Sequence, residues 1–408
     1  MLHRGSGARA PGAHSLASLY RGAAFALSLL VACGGVARAQ VITEFFTGMT
    51  AGSQPLGITV GVDGNLWYTG FAADVIGRVT PLGEITEYQT GMSPGAGPRS
   101  ITSGPDGKLW FTEWSGNRIG QIDPFTFEIN EYSTGITGNA VPEGITTGPD
   151  GYLWFTEFNG NRIGRIHPQT HVIEEFSTGL TAGSGPFGIT RGPDGYLWFA
   201  QYNINKIGRI HPATHVIEEF STGITGTARP RGIITGPDGK IWFTEALGNR
   251  IGRIDPVTKA IDEHAITGFS GPGPFGITAG PDGNVWFVEY TGHQVGRITR
   301  NGVVREWPVP GGAGLFGIVS GPDGNLWFTE ASANRIGRIS NGLGWACDLD
   351  LDGNSVIDPL TDGVMIFRAM MLMTGDSVTN AALGDGATRT TWPEIRTHLN
   401  SKCGTNFL

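Results

Sequence analysis

The sequence predicts an all-β protein, a seven-bladed β-propeller, and three features of the chain carry this prediction. A Gly-Ile opening, replaced by Ser-Ile in the second copy, recurs with a period of 41 to 44 residues at positions 57, 100, 144, 188, 232, 276 and 317. Each copy contains up to four short segments with strand patterns, and the seventh copy lacks the last of them. A unit of this period cannot bury its own hydrophobic faces, so the copies must pack against one another.

The strand segments follow in a fixed order, which is clearest over residues 144–178. Gly-Ile-Thr is the first strand, and Gly-Pro-Asp-Gly is a tight turn, because Pro presets φ and the final Gly adopts the left-handed conformation. Leu-Trp-Phe-Thr is the second strand, bulky on both faces like a strand between two sheets. Arg-Ile-Gly-Arg-Ile is the third, and residues 172–178 alternate as the fourth. Four antiparallel strands per copy describe a propeller blade.

The two ends of the array predict a closed ring. Residues 316–340 supply only three strands, and residues 341–344 replace the fourth. Residues 41–47 match the fourth-strand pattern but have no partner strands before them. Pairing this segment with the last copy completes seven blades and removes exposed sheet edges. The propeller is therefore expected over residues 40–342.

Residues 1–39 have the pattern of a secretory signal peptide. Three arginines precede an apolar run over residues 23–36, and Ala37-Arg38-Ala39 fits cleavage before Gln40. The run is too short for a transmembrane helix, and no later segment is long enough. Export to the periplasm or the extracellular space is therefore predicted. The alternative is a lipoprotein, since the residues before Cys33 also fit a lipobox.

Residues 343–408 differ in composition from the blades and predict a small helical module with a cation site. Oxygen-bearing side chains alternate through an acidic loop that leads into an apolar helix pattern, as a hard cation such as Ca²⁺ requires. The segment resembles the calcium loop of dockerin and EF-hand-like modules over roughly residues 347–403. This resemblance implies the ligands Asp350, Asp352, Asn354, the Val356 carbonyl, Asp358 and Asp362. The last carboxylate falls one residue late and the loop glycine one residue early, and the alternative is a solvated acidic turn.

The remaining composition limits the partners of this module and of the chain. If the leader takes Cys33 with it, Cys347 and Cys403 remain and predict a disulfide in an exported chain. Dockerins carry paired loops, so this single loop does not imply cohesin binding, although attachment or contact with a protein partner is expected. The net charge of −8, without any basic run, argues against a nucleic-acid partner.

The blades resemble the virginiamycin B lyase family over residues 41–340 in their sequence motifs, which are Gly-Ile-Thr, Gly-Pro-Asp-Gly, Leu-Trp-Phe-Thr-Glu and Asn-Arg-Ile-Gly-Arg-Ile. This resemblance implies a seven-bladed propeller that opens the ester ring of streptogramin B depsipeptides by elimination, with Mg²⁺ and a histidine general base at one mouth of the channel. The two family histidines precede the Gly-Ile of blades six and seven, where this chain has Phe275 and Phe316. One metal glutamate is replaced by Gly314, while Glu330 lies near the place of the other. Because Phe cannot accept a proton, the family's elimination is expected to be absent.

The positions that differ between blades predict a binding site at the same mouth. The residue before Gly-Ile reads, blade by blade, Leu56, Arg99, Glu143, Phe187, Arg231, Phe275 and Phe316. A second variable row follows the recurring Glu of the second strand and reads Phe71, Trp114, Phe158, Tyr202, Ala246, Tyr290 and Ala331. Aromatic rings beside a few polar groups are typical of a site for a small molecule, peptide or glycan. The alternative is aromatic filling of a narrow channel.

Residues that recur in every blade, above all the seven tryptophans, are expected to serve the scaffold, and the recurring Glu-Arg combinations such as Glu113 with Arg118 are read as structural pairs. A binding or scaffold propeller is therefore the favoured function. The alternative is a Mg²⁺-dependent lyase acting on cyclic esters through another base. Only His293, four residues after Glu289, is a candidate for that base, and a loop histidine is the competing interpretation.

Overall fold

The computed structural model describes residues 40–268, 271, 273–340, 391 and 393–394. Within this part of the chain it contains 28 strands in seven antiparallel sheets of four strands each. The first strand, β1 (Ile42–Phe45), belongs to the last blade. Blades 1 to 4 comprise β2 (Pro55–Val60), β3 (Leu66–Gly70), β4 (Val75–Val79), β5 (Ile85–Tyr88), β6 (Pro98–Ser103), β7 (Leu109–Glu113), β8 (Arg118–Ile122), β9 (Ile129–Tyr132), β10 (Pro142–Thr147), β11 (Leu153–Glu157), β12 (Arg162–Ile166), β13 (Ile173–Phe176), β14 (Pro186–Arg191), β15 (Leu197–Gln201), β16 (Lys206–Ile210) and β17 (Ile217–Phe220). Blades 5 to 7 comprise β18 (Pro230–Thr235), β19 (Ile241–Glu245), β20 (Arg250–Ile254), β21 (Ile261–Ala265), β22 (Pro274–Ala279), β23 (Val285–Glu289), β24 (Gln294–Ile298), β25 (Val304–Pro308), β26 (Leu315–Ser320), β27 (Leu326–Glu330) and β28 (Arg335–Ile339).

The ring closes through the N-terminal strand, as the sequence predicts. Six sheets each use four consecutive strands, whereas the seventh has the order β1-β28-β27-β26. In that sheet Ile42 pairs with Ile339 and Phe45 with Ile336. The first strands of neighbouring blades lie side by side around the centre, and β26 contacts β2. The seven-bladed propeller is thus confirmed.

The recurring tryptophan explains why the blades pack as they do. All seven indoles are at most 1% exposed, and each ring packs between two blades, as Trp67 does against Ile101 and Phe111 of the next blade. Every indole Nε1 donates to the Asp of the preceding turn at 2.9 to 3.1 Å, as Trp154 does to Asp150; this turn is Gly-Pro-Asp-Gly in six blades and has Val62 in place of Pro in blade 1. The large apolar ring is buried and its one polar atom is satisfied, which is the condition for a buried Trp.

The turn itself has the predicted backbone. Its final glycine has a positive φ of 70° to 80° in all seven blades, as at Gly151. Residues with a side chain rarely adopt this conformation, so the backbone of the turn explains why glycine recurs at its last position.

The predicted leader and C-terminal module fall almost wholly outside the described residues. This applies to residues 1–39 with Cys33, to the cysteines Cys347 and Cys403, and to the proposed calcium ligands Asp350, Asp352, Asn354, Val356, Asp358 and Asp362. Near the C-terminus, Pro393 and Glu394 are helical, and the amide of Thr391 donates to Glu394 Oε2 at 3.0 Å, as at a helix N-terminus. No helix in the described segments is long and apolar enough to cross a bilayer.

Candidate functional site at the channel mouth

The seven variable residues that precede Gly-Ile lie together where the first strands begin. Each of them is the second residue of a first strand, so the ring brings all seven to one end of the central channel. A cavity of about 180 Å³ occupies this channel and is lined by Glu143, Phe187, Arg231, Phe275 and Phe316 together with the Gly-Ile residues behind them.

The local backbone explains how these side chains are held. A Cβ on the glycine after the variable residue would meet the carbonyl of the next blade's variable residue, for example at 2.4 Å between Gly232 and the oxygen of Phe275. That carbonyl also accepts a hydrogen bond from the second-strand threonine of the preceding blade, as between Thr244 Oγ1 and Phe275 at 2.8 Å. The same hydroxyl accepts from the amide of Gly232 at 2.9 Å. Neighbouring blades are therefore joined directly beneath the mouth.

A buried ion pair occupies one side of the mouth. Arg99 Nε donates to Glu143 Oε1, and the side chains are 18% and 3% exposed, respectively. Burial raises the pKa of Glu143, while the guanidinium of Arg99 and, more weakly, that of Arg231 oppose the rise. Arg99 also stands over the rings of Trp114, Phe187 and Phe316, at 5.4 to 5.7 Å from their centroids.

Arg231 occupies the other side and is stacked among aromatic rings. Its guanidinium carbon lies 4.4 Å from the centroid of Phe275, 5.0 Å from that of Tyr202 and 5.6 Å from that of Phe187. Its Nη2 reaches the hydroxyl of Tyr202 only at 3.4 Å, and its buried Nε has no hydrogen-bond partner. Such a guanidinium keeps donors available for a ligand.

Aromatic contacts connect the remaining predicted residues into the same cluster. The rings of Phe275 and Phe316 are 4.0 Å apart at their centroids, and Phe187 meets Phe275 edge-on at 5.8 Å. Tyr290 lies 6.1 Å from Phe275. Trp114 and Tyr290 are 37% and 38% exposed, whereas Phe275 and Phe316 are buried. The mouth thus combines a buried pair of phenylalanines, on which the two arginines stack, with two rings that are partly exposed.

The fold has close counterparts among known proteins. The model of the Virginiamycin B lyase family matches residues 32–179 and 172–346. The chain belongs to the virginiamycin B lyase family. A selenomethionine-substituted virginiamycin B lyase from Staphylococcus aureus is 37% identical, with a TM-score of 0.68 over 74% of this chain and 99% of that one.

Two further structures mark the range of the likeness. A catalytically inactive virginiamycin B lyase from Staphylococcus aureus with quinupristin is 36% identical, with a TM-score of 0.67 over 74% of this chain and 99% of that one. The extracellular domain of a putative hybrid two component system from B. thetaiotaomicron shares the fold alone, at 17% identity and a TM-score of 0.61 over 74% of this chain and 43% of that one. A comparison with curated proteins gives no match.

The mouth of this family member does not fit the Mg²⁺ ion that the family implies. Phe275 and Phe316 have no ligand atoms, and Glu143 is already paired with Arg99. Gly314, at the place of one metal glutamate, has no side chain and offers no ligand atom. Across the described segments, no three His, Cys, Asp or Glu side chains come together as metal ligands.

His293 lies in the loop between β23 and β24 and does not line the channel. The side chain is exposed, its φ is +55°, and its Nδ1 accepts from the amide of Gly314 at 3.4 Å. In other blades an Asn does the same, as Asn117 does for Val141 at 3.0 Å. Glu289 is fully buried. Its burial, and to a smaller extent the hydrogen bond and charge of the neighbouring Glu306, raise its pKa to about 9.

Sequence reasoning missed one residue of the mouth, Arg229. Its guanidinium carbon lies 4.9 Å from the centroid of Tyr202, and its Nη1 donates to Asn203 Oδ1 at 3.1 Å. The sequence could have indicated Arg229, which lies two residues before Arg231, because the equivalent position holds Gly273 in blade 6 and Gly314 in blade 7. The remaining blades have Gln54, Gly97, Val141 and Gly185 there, so only blade 5 has a charged residue at this position.

Proposed function

We propose that this chain is a binding or scaffold propeller that holds a small molecule, peptide or glycan at its mouth and lacks the elimination chemistry of its family. The packed pair Phe275 and Phe316, at the places of the family histidines, carries this proposal. Neither ring can take a proton or bind a metal. The polar groups that remain, Arg99, Glu143 and Arg231, are suited to orienting a ligand, because guanidinium groups stay protonated and Glu143 is engaged by Arg99.

The alternative is a Mg²⁺-dependent lyase that opens cyclic esters with a different base. The identity of 36 to 37% with virginiamycin B lyases favours it. His293 is its candidate base and Glu289 its neighbour. His293 makes the contact with Gly314 that an asparagine makes elsewhere, and Glu289 is a buried group with a raised pKa. Both observations support a scaffold role more than catalysis.

We further propose that the protein acts outside the cytoplasm. The pattern of residues 1–39 supports export, with lipidation at Cys33 as the alternative. The acidic loop supports a Ca²⁺-binding module that attaches the propeller to a surface or to a protein partner, with Cys347 and Cys403 joined in a disulfide.

A titration of the mature protein against a panel of aromatic small molecules, short peptides and oligosaccharides tests the binding proposal. We expect one class to bind, and Phe275→Ala to weaken that binding at least about tenfold, because the ring is a wall of the site. Val257→Ala, at an exposed position outside the cavity lining, is the matched control and should not change the affinity. Affinity that is unaffected by Phe275→Ala, or no binding by any class, contradicts the proposal.

A further inference from the structure

The mouth carries more positive than negative charge. Arg99 and Arg231 lie near one carboxylate, Glu143, which is already bonded to Arg99, and Arg229 adds a third guanidinium beside Tyr202. Over the described residues, neither Arg229 nor Arg231 has a carboxylate within 4.0 Å. Two guanidinium groups at the mouth are therefore left without an anionic partner.

Most arginines in the described blades have an acidic partner within 4.0 Å. At the fourth position of the third strand, five of the six arginines have an acidic partner, as Arg165 has in Glu174 at 2.7 Å and Arg209 in Asp194 at 2.9 Å, and Arg78 is the exception among the described residues. Only blade 5 has both arginines: Arg99 of blade 2 is equivalent to Arg231, but no other blade has an arginine at the position of Arg229. The scaffold does not account for their charge.

The two guanidinium groups also share one aromatic ring. Arg229 and Arg231 lie 4.9 and 5.0 Å from the centroid of Tyr202, and Arg231 continues onto Phe275 at 4.4 Å. Stacking of this kind occupies the faces of a guanidinium and leaves its N–H groups, which lie in its plane, for an acceptor. Nε of Arg231 is buried without such an acceptor.

We propose that the ligand of this mouth is an aromatic carboxylic acid whose carboxylate pairs with Arg231 and Arg229 and whose ring packs among Phe187, Tyr202 and Phe275. A carboxylate matches the planar fork of a guanidinium, and the surrounding rings favour a flat apolar group beside it. Glu143 does not repel such a ligand because its charge is neutralised by Arg99. This inference rests on the proposed binding function and adds the chemical class of the ligand.

Calorimetric titration of the mature full-length protein with three probes tests this inference. The probes are N-acetylphenylalanine, its neutral amide N-acetylphenylalaninamide, and N-acetylalanine. We expect the aromatic acid to bind at least about tenfold more tightly than the amide, because a charge-assisted hydrogen bond is lost in the amide. N-acetylalanine should bind more weakly than the aromatic acid, and added salt should reduce the preference for the acid.

Substitutions assign the preference to the two arginines. Arg231→Gln should abolish the advantage of the acid over the amide, Arg231→Lys should retain part of it, and Arg229→Gln should reduce it. Arg191→Gln is the matched control, because Arg191 is exposed at the far end of the strand that carries Phe187. Unfolding midpoints of all variants show whether each is folded, and the ratio of acid to amide affinity in the parent protein needs no substitution.

Three results would overturn the inference. They are equal affinities for the acid and the amide, an acid preference that survives in both glutamine variants, and no binding of the acid up to about 10 mM. Equal affinities that both fall in Phe275→Ala would remove the anionic class and leave the binding function standing. Indifference of every probe to every substitution at the mouth would remove both.

Discussion

Five blades have a buried glutamate at the same position, and its protonation makes the stability of the protein depend on pH. Glu113, Glu157, Glu245, Glu289 and Glu330 end the second strands, and all are fully buried. Burial raises their pKa values to between about 7 and about 9, and a glutamate of the fourth strand adds to the rise. These groups therefore tend to hold a proton in the folded protein near neutral pH.

Blade 4 has the opposite arrangement. Gln201 replaces the glutamate and donates to Glu219 at 2.7 Å. Although burial opposes it, hydrogen bonds from Lys206, Thr181 and Gln201 lower the pKa of Glu219 to about 2. In this blade, Gln201 thus replaces the contact between two glutamates with a hydrogen bond to an ionised Glu219.

We expect the protein to lose stability as the pH rises, in part through Glu289. Its folded pKa of about 9 exceeds the ordinary value of 4.5, so its contribution is complete below pH 4.5 and is lost as the pH rises through about 9. The slope for one proton is at most about 1.4 kcal/mol per pH unit. Glu289→Gln, which copies blade 4, should flatten the dependence of the unfolding free energy in urea titrations over this range.

The exposed Glu84 offers the matched control for that experiment. Glu84→Gln should leave the pH dependence as it is in the parent. An identical slope in Glu289→Gln and in the parent would show that Glu289 is ionised in both the folded and the unfolded state.

The Arg99–Glu143 pair allows a second prediction at the residue scale. Arg99→Met leaves Glu143 buried without its cation and should lower the unfolding free energy by about 3 kcal/mol. The double variant Arg99→Met/Glu143→Leu should recover most of this loss, because neither charge remains. Chemical unfolding at neutral pH measures both. Additive losses in the double variant would contradict a direct interaction between the two side chains.

The expected pairing of each second-strand glutamate with the arginine five residues later needs correction. Arg118 does reach Glu113 at 3.4 Å, but it lies closer to Glu131, at 2.9 Å. In blade 7 the arginine bonds the fourth strand instead, with Arg335 at 2.7 Å from Glu44. The third strand is flanked by both the second and the fourth, and sequence spacing showed only the nearer neighbour in the chain.

At the scale of the elements, the glycine after the variable residue determines how closely two first strands approach. Gly232→Ala would place a Cβ 2.4 Å from the carbonyl of Phe275 and should destabilise the protein by about 1 to 3 kcal/mol. Blade 2 has Ser100 at the equivalent position, so Ser100→Ala should change stability by less than about 0.5 kcal/mol. Thermal unfolding compares the two. Equal midpoints would mean that the blades separate without cost.

The C-terminal element remains a prediction from the sequence. Calorimetry on the full chain should detect one Ca²⁺ site, and Asp352→Ala should abolish it, because the carboxylate is a proposed ligand. Asp385→Asn, outside the acidic loop, is the control and should bind as the parent does. Uptake of Ca²⁺ by Asp352→Ala at the parent's affinity would favour the solvated acidic turn.

At the scale of the whole molecule, the repeat made the architecture predictable. Seven copies and the displaced strand β1 were sufficient to predict the closed ring, since each copy has the same joint with its neighbour. The location of the mouth followed from equivalent positions in each blade. The stacking of Arg229 on Tyr202 did not, because it depends on how side chains of adjacent blades meet across a gap in sequence.

We propose that this mouth does not carry out the elimination of the virginiamycin B lyases. The most direct test incubates the mature protein with a streptogramin B depsipeptide, in Mg²⁺ or in EDTA, and follows the cyclic form by mass spectrometry. The rings of Phe275 and Phe316 predict that the depsipeptide stays cyclic in both, as it does without protein. Ring opening that requires Mg²⁺ would contradict the claim, and its loss in His293→Ala would identify the base.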